Sequence, residues 1–572
     1  MEAQQTVNVD LNVPASMRDG TVLRANVYRP AGDGRWPVLL TRLPYGKDLP
    51  LGSSALDPVQ AARRGYVVIV QDTRGRFSSE GEWQPMQNEA SDGYDTVQWA
   101  ASLPYSDGQV GMYGGSYFGF TQWAAALSRP PALKAMAPFL TWSDPYNGAV
   151  MRGGALELGQ QANWQLQMGF DVLLRRHRGD RAALGRALLG LARELDALGA
   201  EGYRSLPLRE FAPLARQDVA PRFFDHLDAV TDRSRLDFMT LKGRHREVQV
   251  PTLNAGGWYD IFLQDTIANY TAMQAAGVPS KLLIGPWSHD AQGNPVGELS
   301  FGFGSQAAFV DLQADFQTLQ LSWFDRWLKA AENGVMAEPP IKLFVMGANS
   351  WRHETEWPPP AAATPLYLRQ GGRLGSEAPG EERPTCFEYD PADPVPTRGG
   401  ALLMSPEFPS GPYDQRRIEE RPDVLVFTSE PLTHDTEVTG PVSVTLWAAS
   451  SAVDTDFVAR LCDVYPDGGS INLTDGIIRA RYRDWNSSGE LSLIEPERPY
   501  RYDIDLWATS NLFPAGHRIR LQVTSSCFPR WDRNPNTGSP FGTGSELVRA
   551  RQTVFHDRER PSHLLLPIRT EG

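Results

Sequence analysis

The chain is poor in cysteine. Three in 572 residues (Cys386, Cys462 and Cys527) are too few and too scattered for a disulfide framework or a zinc site. Their place in strand-like runs of the last third marks them as buried free thiols. Long apolar runs are missing too, since no uninterrupted stretch nears the ~20 residues that a membrane-spanning helix needs. The first residues, Met1-Glu-Ala-Gln-Gln-Thr6, lack a basic segment followed by an apolar one. Nothing there reads as a secretory signal, and a cytoplasmic protein is expected. Clustered basic residues are also lacking: Lys and Arg number 55 against 68 Asp and Glu, a net charge of −13. That balance argues against nucleic acid as a partner, and no membrane partner is expected either. Internal repeats and low-complexity tails are absent.

What is present is an ordinary globular composition, 41% hydrophobic and 22% charged, in a chain too long for one core. Residues 7–10 and 21–28 alternate like antiparallel strands. Pro37–Leu43 and Gly65–Gln71 are apolar runs suited to strands buried on both faces. A helix is expected near 57–64 and another over Glu89–Leu103, with Tyr94, Val97 and Ala101 as its inward stripe. Strands alternating with helices through short links predict a parallel sheet covered on both faces. Residues 151–245 hold helical material rich in Leu, Ala and Arg, placed to cap the sheet and shape a pocket. The α/β pattern resumes at Val250, continues through Lys281–His289, and includes a helix over 309–330 with Phe316, Leu319, Trp323 and Trp327 as core. Beyond 340 helical signals almost vanish, and short strands such as Val424–Phe427, Val442–Trp447 and Ile519–Thr524 predict a β-sandwich, with a jelly roll as the expected form. The expected divisions are therefore an α/β-hydrolase part over 1–145 and 247–345, a helical cap over 146–246, and a jelly-roll β-sandwich over 346–572.

The chain is organised around Val110-Gly-Met-Tyr-Gly-Gly-Ser-Tyr-Phe-Gly-Phe-Thr-Gln122. A strand running through glycines into a serine and then a helix puts that serine on a sharp turn, with the next amide at a helix N-terminus. Ser116 is the expected nucleophile. The usual pattern is G-x-S-x-G; here Phe118 holds the second glycine place and Gly119 follows it. Serine needs a neighbouring base, usually a histidine oriented by a carboxylate. Of nine histidines, His289 alone ends a buried strand of the α/β part; His177, His226 and His245, in the helical insertion, remain alternatives. Asp260 closes Gly256-Gly-Trp-Tyr-Asp after the preceding strand. The order Ser116, Asp260, His289 is that of α/β-hydrolases. For an oxyanion, the Tyr117 amide and Tyr45, on the loop after Pro37–Leu43, are the candidate donors.

Arg42-Leu-Pro-Tyr45, Gln71-Asp-Thr-Arg-Gly-Arg76, Gly111-Met-Tyr-Gly-Gly-Ser-Tyr117, Gly257-Trp-Tyr-Asp260 and Gly285-Pro-Trp-Ser-His289 together resemble the bacterial cocaine esterase family, kin to Xaa-Pro dipeptidyl-peptidases and α-amino acid ester hydrolases. The resemblance spans nearly the whole chain and includes the shifted glycine. It implies Ser116 as nucleophile, His289 as base, Asp260 as its orienter and the Tyr45 hydroxyl as an oxyanion donor. It further implies that Trp164 and Phe262, with Leu403 or Met404 from the last domain, line the acyl pocket. No cofactor or metal is implied, and the resemblance points to a homodimer. The amino acid ester hydrolases hold a substrate ammonium with clustered carboxylates, some close after the catalytic acid; here Ile261-Phe262-Leu263 follow Asp260, leaving only Asp144 as a partner. A serine carboxylesterase acting on neutral or aromatic acyl groups is therefore expected, with an Xaa-Pro dipeptidyl-peptidase, amide hydrolase or acyl transferase as alternatives. The non-enzymatic alternative is a ligand-binding protein that uses the C-terminal sandwich. Replacing Ile261 or Phe262 with an acidic residue is expected to slow aryl ester hydrolysis; unchanged rates would mean that these side chains do not face the pocket.

Overall fold

The computed structural model describes residues 6–220 and 222–569. Ten strands form the first sheet: β1 (Val7–Ser16), β2 (Val22–Pro30), β3 (Trp36–Leu43), β4 (Val67–Asp72), β5 (Ser106–Gly115), β6 (Leu133–Phe139), β7 (Thr252–Tyr259), β8 (Ser280–Ser288), β9 (Ile341–Val345) and β10 (Ser350–Glu354). Their order is β1-β2-β4-β3-β5-β6-β7-β8-β9-β10. The strands from β4 to β9 run parallel, and β1, β2 and β10 are antiparallel additions at the edges. Because β10 belongs to this sheet, the α/β part reaches Glu354, past the expected boundary at 345. The strand order reverses between β3 and β5, the place where α/β sheets open a crevice at their C-terminal ends.

Parallel strands buried on both faces need side chains that fit helices on either side. Arg42 of β3 points toward α1 (Glu89–Ser102), which packs beside α2 (Ser116–Leu127). Leu39 of β3 is registered with Gly111 of β5, so both face the opposite way. There α6 (Phe316–Leu328) lies so close that a Cβ on Gly111 would sit 2.7 Å from the Phe324 ring. The inward residues of α1 are Glu89, Asp92, Gly93, Thr96, Val97 and Ala100, so of the expected Tyr94–Val97–Ala101 stripe only Val97 is buried, because the polar Arg42 cluster and α2 set which side is covered. On α6 the buried residues are Gln320, Leu321, Trp323, Phe324 and Leu328. Of the expected aromatics only Trp323 is fully enclosed, with its indole N–H donating to the Met136 carbonyl at 3.0 Å.

The insertion between β6 and β7 is helical apart from a two-strand hairpin, Met151–Arg152 with Ala155–Leu156. Its long members are α3 (Leu158–Arg176) and α4 (Arg181–Ala197), and Asp180 caps α4 by accepting from the Ala183 amide at 2.9 Å. The helix after β7 is α5 (Leu263–Ala275). The C-terminal part is a jelly-roll β-sandwich whose strands form an 11-stranded hydrogen-bonded sheet around a second core that includes Val444, Leu446, Phe457, Leu461, Ile504 and Leu521. Cys462 and Cys527 are buried free thiols, but Cys386 is exposed. It sits between the inward-facing Phe387 and the partly exposed Thr385, on the outward side of its strand's alternation. Among the described residues no helix is long and apolar enough to cross a membrane.

Phe324→Ala is expected to open a cavity against Gly111 and cost about 3–5 kcal/mol, lowering the thermal midpoint of the α/β unit. A midpoint within a degree of the parent would mean that this helix is not held by that contact.

Candidate active site

Four loops leave the C-terminal ends of the sheet and converge. The loop after β3 carries Tyr45, β5 runs directly into Ser116, β7 ends before Asp260 and β8 before His289. Ser116 has φ +55°, a left-handed conformation that a side chain adopts only under constraint. The constraint comes from its neighbours. The Ser116 amide donates to the Leu140 carbonyl at 3.1 Å, and the Thr141 hydroxyl donates to the Ser116 carbonyl at 2.8 Å. A Cβ on Gly115 would lie 2.4 Å from the Phe139 ring, and one on Gly119 would lie 2.6 Å from Thr141 Cβ. That second contact explains the shifted glycine. Close approach is required at position 119, whereas the side chain at 118 has room to pack its ring against Tyr45 at 5.8 Å.

The hydroxyl of Ser116 lies 3.1 Å from His289 Nε2, and His289 Nδ1 lies 2.7 Å from Asp260 Oδ1. Since an ionised carboxylate only accepts, Nδ1 donates, which leaves the Nε2 lone pair to accept from the serine hydroxyl. The second Asp260 oxygen accepts from the Phe262 amide at 3.2 Å, and the carboxylate is fully buried. Burial by itself pulls the His289 ring down, but the Asp260 hydrogen bond and charge, joined by Asp290, outweigh it and leave its pKa above the ordinary value. The Phe262 ring meets the imidazole edge-on at 5.3 Å.

Two donors flank the serine. The Tyr117 amide belongs to the first turn of α2, where N–H groups have no intrahelical partner. The Tyr45 hydroxyl accepts from the Trp164 indole N–H at 3.1 Å and has Ser116 as its other polar neighbour. With a lone pair of that oxygen occupied, its proton is directed toward the serine side. Burial raises the Tyr45 phenol above its ordinary value, more than the hydrogen bonds with Trp164 and Ser116 lower it, so it stays protonated. Behind the elbow, the Tyr117 hydroxyl donates to Glu89 at 2.8 Å and accepts from the Met86 amide, and Glu89 pairs with the fully buried Arg42 at 2.7 Å. This network ties the residue after the serine to β3 and α1.

The cavity in front of Ser116 is about 20 Å³, room for about one water molecule, so an acyl group enters only when side chains of the wall move aside. Its walls include Tyr45, Trp164, Phe262 and Leu403, all expected from the sequence, together with Met86, Trp142, Ala149, Gln160, Gln161, His226 and Met239. Met404 is not part of the wall; it packs on α3, where its Cε would meet a Cβ on Gly159 at 2.3 Å. Ile261 is buried elsewhere, so of the pair after Asp260 only Phe262 faces the cavity. Trp142 stacks on Phe120 and tilts against Phe262, each at 5.1 Å. It directly follows the turn after β6, the one sequence cue that could have flagged it. Asp144 pairs with Lys242 at 2.8 Å in a separate polar groove. His245 bonds Asn269, away from the serine, and His226 borders the cavity.

Comparison with known proteins agrees with this architecture. The X-Pro dipeptidyl-peptidase (S15 family) model matches residues 19–291, and that of the X-Pro dipeptidyl-peptidase C-terminal non-catalytic domain matches 333–565. The cocaine esterase of Rhodococcus sp. (strain MB1 Bresler) is 39% identical over 583 residues, covering 98% of each chain. Among solved structures, an α-amino acid ester hydrolase is similar with a TM-score of 0.80 at 27% identity, covering 100% of this chain and 98% of that one. An aminopeptidase from the marine sediment archaeon Thaumarchaeota archaeon is similar with a TM-score of 0.77, also at 27% identity, covering 99% and 97%. The fold is that of an α/β hydrolase with a C-terminal β-rich domain, and its relatives are serine hydrolases. The chain belongs to the cocaine esterase family.

Glu89→Leu would strand the buried Arg42 charge and free the Tyr117 hydroxyl, and is expected to cost about 3–5 kcal/mol of stability. Urea unfolding measures it, and a loss below about 1 kcal/mol would show that Gln71 and Asp92 suffice for Arg42.

Proposed function

We propose that the protein is a serine carboxylesterase that works through an acyl-enzyme on neutral acyl groups. The observation that carries this reading is the continuous hydrogen-bonded chain from buried Asp260 through His289 to a strained Ser116 at a helix N-terminus. In the first half-reaction His289 Nε2 takes the Ser116 proton as Oγ attacks the ester carbonyl. Asp260 steadies the imidazolium that forms. The negative charge that develops on the carbonyl oxygen is met by the Tyr117 amide and the Tyr45 hydroxyl, donors already in place before the reaction. His289 then gives its proton to the leaving alcohol, and a water activated by the same ring releases the acid and regenerates Ser116.

The acyl preference follows from the walls. No Asp or Glu lines the cavity, and Asp144 is engaged by Lys242 elsewhere. A substrate ammonium, as at the N-terminus of a peptide, would enter an apolar site without a counter-charge, which is costly. This favours a neutral ester over an Xaa-Pro peptide.

Hydrolysis of a panel of p-nitrophenyl esters, with a Xaa-Pro p-nitroanilide alongside, tests the reading. Ester turnover should fall by at least about 10³-fold in Ser116→Ala, and full activity in that variant would overturn it. The pH profile supplies a second check. His289 must be neutral to accept a proton and its pKa is raised. kcat/KM should therefore fall as pH drops through a value above the ordinary ~6.5; a limb well below that would exclude His289 as the base.

A further inference from the structure

Part of the cavity lining is polar where most of the rest is apolar. His226 comes from the short helix Phe223–Asp228, while Gln160 and Gln161 come from the first turn of α3, one turn before Trp164. All three border the same cavity as Ser116. Their orientations can be worked out atom by atom. Gln161 Nε2 donates to the Ala149 carbonyl at 2.6 Å and to Gln160 Oε1 at 2.7 Å. A backbone carbonyl only accepts, so the Gln161 amide cannot be turned round, and its Oε1 is what lies 3.0 Å from His226 Nδ1. That oxygen also only accepts, so His226 Nδ1 carries the proton. The neutral ring then presents a lone pair at Nε2. Burial keeps it neutral, pushing it down to about 4 despite the opposing pull of Asp225.

Neither His226 Nε2 nor Gln160 Nε2 has a hydrogen-bond partner among the described residues, although both side chains are more than nine-tenths buried. Neither atom is among the fully enclosed partnerless ones, so each keeps open space beside it that a ligand group can reach. They are complementary, an acceptor on His226 and a donor on Gln160, on residues that border one cavity. A hydroxyl group satisfies both, giving its proton to one and accepting from the other. A hydrocarbon satisfies neither, and an ammonium could serve only the acceptor, with no carboxylate beside it.

We propose that His226 Nε2 and Gln160 Nε2 together bind a hydroxyl at the far end of the acyl group, making hydroxyaryl or short hydroxyalkanoyl esters the preferred substrates. The inference rests on the esterase reading given above and goes further by naming the acyl class. A site shaped to hydrogen-bond a hydroxyl discriminates strongly against an analogue that lacks it, because the site's own polar atoms are then left unpaired.

The test compares kcat/KM for p-nitrophenyl hydroxybenzoates with that for the matching fluorobenzoates, in which fluorine replaces the hydroxyl at similar size but cannot donate. Both the 3- and 4-substituted pairs are measured at neutral pH. With each ratio divided by the ratio of the two esters' hydroxide-catalysed rates, the wild type should prefer a hydroxy ester by roughly ten-fold or more, and His226→Phe should bring that ratio close to one. The ratio is independent of the fraction of active enzyme and of the intrinsic reactivity of the two esters once wild type and variant are compared. If His226→Phe does not fold, competitive inhibition of the wild type by hydroxybenzoate and fluorobenzoate gives the same comparison, with hydroxybenzoate expected to bind at least ten-fold tighter. Ratios within two-fold of one in the wild type, or a preference unchanged by His226→Phe, would overturn the proposal while leaving the esterase reading intact. No hydrolysis of any of these esters would remove both.

Discussion

Everything at this site depends on the backbone of one residue. Ser116 is held at φ +55°, a conformation that costs an ordinary residue on the order of 1–3 kcal/mol. The turn after β6 holds it there by bonding the serine amide and carbonyl, and Gly115 and Gly119 leave no gap for relaxation. The same turn lifts the hydroxyl to within reach of His289 and leaves the next amide free at the helix start. Loosening it would misplace the Ser116 hydroxyl and the Tyr117 amide together, because both are carried by the same Cα, one through its side chain and one through its carbonyl carbon.

The framework around that turn was legible in the sequence because it is local. Ser116, Asp260, His289 and Tyr45 each sit at the end of an apolar run, so reading strand ends in order was enough to bring them to one edge of the sheet. The shifted glycine was readable as a departure but not as a cause. Its reason, the proximity of Thr141, lies 22 residues away in a turn with no distinctive composition. The same limit applies to the inward faces of α1 and α6. On α1, periodicity counted apolar residues, while the buried side is chosen by Arg42 and its carboxylates.

The cavity wall was the least legible part. It is assembled from the turn after β6, the first turn of α3, a short helix near 226 and a loop near 403. These segments share no spacing, and only packing brings them together. His226 illustrates the point: as a histidine in the helical insertion it was one of several alternative bases, whereas in the structure it borders the cavity and its ring is set by a hydrogen bond to a fixed glutamine. Relatives of this fold include esterases and peptidases. One fold hosting both activities fits the general rule that function resides in the site and not in the fold.

Where the cap meets the sandwich, Arg530 stands 2.6 Å from Asp475 and 3.7 Å from Glu157, and Arg152 lies 3.7 Å from the centre of the Trp507 ring. Glu157 immediately precedes α3, the helix that carries Gln160, Gln161 and Trp164. Leu403 adds a wall of the cavity from still further along the chain. On the ribosome this has a temporal meaning. When Ser116, Asp260 and His289 have all been made, the residues that anchor the start of α3 have yet to be, so the wall of the cavity beside Ser116 is completed only in the final stretch of translation.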